Sequence, residues 1–199
     1  MDQVLSQQTG TSDARGRILA AARDEFAQHG FAAGSVRAIA KSAGVTAAMI
    51  NYYFGGKQAL YETLVTEAQA RLHQRLAAAI PGGREGSAAR LAGAYFDFLA
   101  EEQQVQRLLL REVLDTDQRE HERGPELVNP LRGILESHFG DDEEAIQTAL
   151  SLFGAIAGYF IYEPVLRPFL GQDPLSAEAL QRRRQHIVNL ASTIQELSS

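Results

Sequence analysis

The chain has 199 residues, 45% of them hydrophobic, a formal charge of -6 and no cysteine. Such a length supports one large core or a small head joined to a larger body, and the absence of thiols excludes a disulfide framework and thiolate metal sites. The charge is uneven: through Lys57 six Lys and Arg stand against four Asp and Glu, and the remainder carries thirteen against twenty-one.

Residues 1–11 are polar and aperiodic, which predicts a flexible arm. A first helix is expected from about Asp13, because Ile18, Leu19, Ala22 and Phe26 recur at helical spacing and Gly30 stands where a helix C-cap belongs. Ser35 is a suitable N-cap for a short second helix with Val36, Ile39, Ala40 and Ala43 inward, and Gly44 ends it. Thr46 then caps a third helix, giving the helix, glycine turn, helix order of a helix-turn-helix. The run "FGGK" breaks that helix ahead of a long fourth one over about 57–80. Beyond "PGGREG" further helices are expected over 87–101 and 105–116, followed by a segment broken at Gly124-Pro125 that resumes to Phe139. Asp141 and Glu144 form an acidic capping box for an apolar helix to Tyr162, read as a buried helix of a soluble protein rather than a membrane span. "PVLRPFLGQDP" reads as a prolyl connection, and Ser176 caps a last helix to about Leu197. No strand, internal repeat or secretory leader is apparent. The fold class is therefore all-α, divided into an arm (1–11), a helix-turn-helix head (12–57) and a helical body (58–199).

The segment from Phe26 to Tyr61 contains no Asp or Glu. With Ile50 turned to the core, Thr46, Tyr53 and Phe54 fall on its side of the third helix, Ala48, Asn51 and Tyr52 point away, and Met49 lies on a flank. Small side chains at Ala47 and Ala48 let a helix backbone approach base edges in a major groove ~12 Å wide. Asn51 is suited to adenine, and the Ala48 or Met49 methyl groups to thymine. Arg37 offers a fork to either guanine or phosphate. Ser35, Tyr52, Tyr53 and Lys57 supply further phosphate donors. Each residue alone has a bland alternative in capping, core packing or surface solvation; their combination with an acid-free segment points to DNA.

"RILAAARDEFAQHGFAAGSVRAIAKSAGVTAAMINYYFGGKQALYETL", from Arg17 to Leu64, resembles the DNA-binding domain of the tetracycline-repressor-like (TetR) regulators. Helix spacing, Gly30, Phe31, Gly44, Phe54 and Lys57 carry the likeness, and Tyr53 stands where the family commonly has histidine. The lack of cysteine suits a cytoplasmic protein, and the resemblance implies a two-fold dimer that represses transcription from a near-palindromic operator in double-stranded DNA and releases it on binding a small-molecule effector.

It also implies roles for the body. A ligand pocket is expected among Tyr95, Phe96, Leu99, Leu110, Phe153 and Tyr159, and a dimer interface at Phe153, Gly154, Ala157, Gly158, Ile187, Leu190 and Ile194. Ordinary core packing competes for all of them. The rival classes are an enzyme and a helical protein-interaction module. His73, His121, His138 and His186 are dispersed without a nucleophile or paired carboxylates, and the "DDEE" run suits a helix start, so no catalytic residue, metal or cofactor is expected.

Overall fold

The computed structural model describes residues 2–80, 86–114 and 143–197. Its helices are α1 (Asp2–Ala33), α2 (Val36–Ala43), α3 (Ala47–Phe54), α4 (Lys57–Ala78), α5 (Ser87–Glu101) and α6 (Gln103–Leu114), then α7 (Glu143–Ile161), α8 (Glu163–Leu170) and α9 (Ala177–Leu197). No strand occurs among the described residues. The break at Gly124-Pro125, the helix to Phe139 and the cap at Asp141 lie outside the described residues.

Two departures from the sequence expectation have physical causes. The backbone is helical from Asp2 rather than from Asp13. Extending a nucleated helix is far easier than starting one, and the residues before Asp13 contain no proline to stop it. The segment taken for a prolyl connection forms α8: Pro164 lies in its first turn, where no amide is needed, and Arg167 pairs with Glu163 at 2.6 Å. Pro168 sits inside this helix, and none of its residues is buried.

The described residues hold two apolar cores. The first joins Ile18, Ala22 and Phe26 of α1 to Ile39 of α2, Ile50 of α3, Leu60, Tyr61, Leu64 and Val65 of α4, and Leu108 of α6. The second joins Ala68, Leu72 and Leu76 of α4 to Leu91, Phe96 and Leu99 of α5, Val105 of α6, Leu152, Ile156 and Phe160 of α7, and Ile187 and Ala191 of α9. Both α4 and α6 contribute to each core, so the packing passes from head to body partway along α4. Ion pairs reinforce that passage: Arg75 holds both carboxylate oxygens of Glu101 at 2.7 Å, and Arg71 meets Glu102 at 3.4 Å.

In the body, α9 packs along α5. Arg184 clasps Asp97 through two hydrogen bonds of 2.7 and 2.8 Å, which hold its guanidinium above the ordinary arginine range. Gln195 accepts the Ala88 amide at 3.2 Å and so covers the start of α5, where Gly86 has no side chain to do it.

The apolar helix α7 is buried on one face and open on the other. Ala149, Leu152, Ile156 and Phe160 face inward, while Ile146, Leu150, Phe153 and Ile161 are exposed. It is long and apolar enough to cross a membrane by length and composition, with 33% of its apolar window buried in the fold.

Candidate nucleic-acid interface

Three local caps and one tertiary contact fix α2 and α3. Ser35, extended at φ -112 and ψ 117, turns its Oγ to accept the Ala38 amide at 3.3 Å. At the other end of α2, Gly44 adopts the left-handed conformation, φ 66, that glycine tolerates best, and its amide bonds back to the helix. The Arg17 Nε donates to the Ala43 carbonyl at the end of α2 at 3.0 Å, placing a cation at the negative pole of that helix. Thr46 Oγ1 then accepts the Met49 amide at 3.4 Å and starts α3. Capping matters here because helices this short cannot persist on propensity alone.

Ile50 is fully buried and roots α3 in the first core. On the far side Ala47, Ala48, Asn51 and Tyr52 are exposed, with Tyr52 81% accessible, and Met49 lies at the edge. Tyr53 and Phe54 pack against the core as their register predicts. Thr46 departs from it: the cap geometry turns this residue outward, so it shares the exposed face rather than the Ile50 side. Tyr52 and Tyr53 meet edge to face at 5.1 Å, which braces the exposed ring. Arg37 and Lys41 are exposed on α2.

Lys57 is held more firmly than a free surface cation. Its Nζ donates to the Ala32 carbonyl at 3.2 Å and lies 4.7 Å from the Phe31 ring centroid. Phe31 in turn meets Tyr61 at 5.0 Å, and Tyr61 packs edge to face on Phe26 at 5.2 Å. Gly34 completes this corner by necessity: a Cβ there would stand 2.6 Å from the Phe26 ring and 2.9 Å from the Gly30 carbonyl oxygen.

The fold adds three residues that linear reading missed. Arg15 stacks over the Phe54 ring at 5.2 Å, Arg17 caps α2, and the Glu25 carboxylate accepts the Ser35 amide at 2.9 Å. All three lie on α1, and only the tertiary crossing of α1 over α2 and α3 brings them to the site. The acid-free segment begins at Phe26, so Glu25 returns an acid to its edge.

Residues 18–64, which hold this arrangement apart from Arg15 and Arg17, match the family model described as bacterial regulatory proteins, tetR family. Over this segment the chain is similar to TetR-family regulators. It is 34% identical over 77 residues to the HTH-type transcriptional regulator UidR of Escherichia coli, a match covering 39% of each chain. The probable HTH-type regulator YttP of Bacillus subtilis is 38% identical over 101 residues, 49% of each chain. These matches therefore span half or less of the curated relatives' own lengths. Among solved structures, the transcriptional regulator FadR of Bacillus subtilis in complex with stearoyl-CoA superposes with a TM-score of 0.63 at 20% identity, covering 92% of this chain and 97% of that one. At that identity the likeness establishes the all-helical fold.

The residues expected to line a ligand pocket occupy different surroundings: Phe96 and Tyr159 have ring centroids 6.4 Å apart, one in the second core and the other at its edge. Tyr95, Phe96 and Leu99 are buried in the second core, where desolvation pushes the Tyr95 phenol above its ordinary range. Leu110 lies outside the residues whose side chains are described. Phe153 is exposed and stacks on Tyr95 at 5.4 Å. Tyr159 instead borders an open groove of about 560 Å³ where α7, α8 and α9 meet, together with Gly154, Gly158, Leu166, Phe169 and Arg183. There Arg183 donates to the Ala155 carbonyl at 2.8 Å and lies 5.3 Å over the Tyr159 ring, and burial draws its guanidinium below the ordinary arginine range.

The expected dimer residues also divide. Ala157 and Ile187 are consumed by the protomer's own core, and Leu190 and Ile194 pack against it. Phe153 and Gly154 are exposed, with nothing within 4 Å of a Cβ placed on Gly154; Gly158 is half-buried, near the Tyr162 ring. Sequence reasoning missed the open α7 residues Ile146, Leu150 and Ile161, and the α8 side chains Val165 and Phe169, the last 86% accessible. Periodicity identifies an apolar helix but not which of its faces the protomer fills.

Proposed function

We propose that the protein is a dimeric transcriptional repressor of the cytoplasm that reads a near-palindromic operator with α3 and leaves it when a small molecule binds the body. The observation that carries this reading is the α3 face: Ala47, Ala48, Asn51 and Tyr52 stand in solvent on a short helix anchored by Ile50 and capped at both ends. Such a helix fits a major groove, with Asn51 at base edges and Ala48 and Met49 at methyl groups. Ser35, Arg37, Thr46 and Tyr52 flank it as phosphate donors, and Tyr53 and Lys57 support them from partly packed positions. Two copies place their α3 helices ~34–36 Å apart when bound to successive major grooves.

The open α7 face, with Phe153, Gly154 and Gly158 at its centre, supports a two-fold interface continued by α8. An apolar strip of this kind is what homodimer contacts bury. The neighbour that holds stearoyl-CoA makes acyl-CoA thioesters the first effectors to test. The experiment is selection of bound fragments from genomic DNA, followed by titration of the selected duplex at several salt concentrations. A repressor of this type shows a steep loss of affinity with salt, and Arg37→Ala or Tyr52→Ala weakens it. A duplex affinity indifferent to both changes would refute the assigned contacts.

A further inference from the structure

The amide at the start of α2 is where a DNA phosphate would be expected to sit, since a helix N-terminus presents unpaired N–H groups and partial positive charge. In this molecule Ser35, the N-cap, already has its amide occupied, by the Glu25 carboxylate of α1 at 2.9 Å. A capping box normally draws that acceptor from the residue three places on, where a Glu or Gln reaches back to the cap amide. Here that position is Ala38, whose own amide is taken by Ser35 Oγ. Glu25 supplies from another helix what Ala38 lacks. The bond is partly buried, and among the described residues Glu25 forms no ion pair with a lysine or arginine.

We infer that Glu25 is a positioning residue for DNA engagement: its carboxylate completes the α2 capping box across helices, fixing Ser35 and Arg37 for phosphate, while its charge holds the affinity below what the site would otherwise reach. The inference rests on the DNA-binding reading above. Two effects of opposite sign follow from one side chain, and they separate by substitution. Glu25→Gln keeps an oxygen acceptor for the Ser35 amide and removes the charge. Glu25→Ala removes both, so the cap amide loses its partner and the start of α2 loosens against α1.

The test is fluorescence anisotropy of a labelled mixed-sequence duplex of about 30 base pairs, titrated with the full-length chain and each variant between about 50 and 200 mM salt, the range over which phosphate contacts weaken steeply. A mixed sequence suffices, because phosphate contacts are shared by all duplexes. Glu25→Gln is expected to bind about threefold tighter at the lowest salt, a gain that shrinks as screening increases. Glu25→Ala is expected to bind about three- to tenfold more weakly than Glu25→Gln at every salt concentration, the size of a lost cap. Equal affinity of wild type and Glu25→Gln at low salt would overturn the charge role, and equality of the two variants the positioning role. If Glu25→Ala does not fold, the charge comparison still decides against or for the inference, and Glu25→Asp replaces it for the reach of the acceptor. A wild type that binds no duplex in a salt-dependent way refutes the proposed function instead, so the two failures are distinguishable.

Discussion

Head and body are both helical, yet they obey different constraints. In the head, α2 and α3 have 8 residues each and are held by caps, a left-handed glycine and a glycine with no room for a methyl group. In the body, longer helices bury one face each by general apolar spacing and leave another face of α7 open. Short helices need particular residues at particular places. Long ones need only enough apolar surface, so their contacts leave a weaker imprint on the chain.

That contrast can be broken or sharpened by substitution. Phe26→Ala, at the centre of the first core, is expected to destabilise the protein by about 3–5 kcal/mol, measured by denaturant unfolding. Gly34→Ala should cost about 1–3 kcal/mol by forcing Phe26 or the Gly30 carbonyl to move, an unusual penalty for adding one methyl group. The equivalent addition in the body, Gly154→Ala, meets nothing within 4 Å inside a helix and should stabilise the fold by about 0.5–1 kcal/mol. If the two glycine changes proved equally costly, the contrast between the regions would be wrong.

Function should divide along the same line. Asn51→Ala, on an exposed face, is expected to weaken the selected operator by about 1–3 kcal/mol while leaving the unfolding midpoint in place. Leu150→Glu, 57% accessible on α7, should leave the fold intact but loosen self-association by about tenfold or more, read by sedimentation velocity. An unchanged sedimentation profile would remove the α7 face from the proposed interface.

The head was legible because its caps announce themselves: Ser35, Gly44 and Thr46 stand at fixed offsets from an apolar pattern, and each occupies its expected role. Glu25 was not, since its partner lies on another helix and nothing local marks the pair. In the body the helices themselves were readable, but Ala157 and Phe153 look alike as apolar residues of one helix. Only the packing of α5 and α9 decides that the first is core and the second is open. The α8 helix was hidden by its prolines, although one of them sits where a helix accepts proline most readily.

Because Val105 belongs to one core and Leu108, a single turn further along α6, to the other, neither region has a complete interior of its own. Thermal melting should therefore pass through one cooperative transition, with calorimetric and van't Hoff enthalpies in agreement, rather than two. Separating the head by cleavage within α4 would strip it of Leu108 and of part of α4, leaving a fragment whose greasy interior lies open to water.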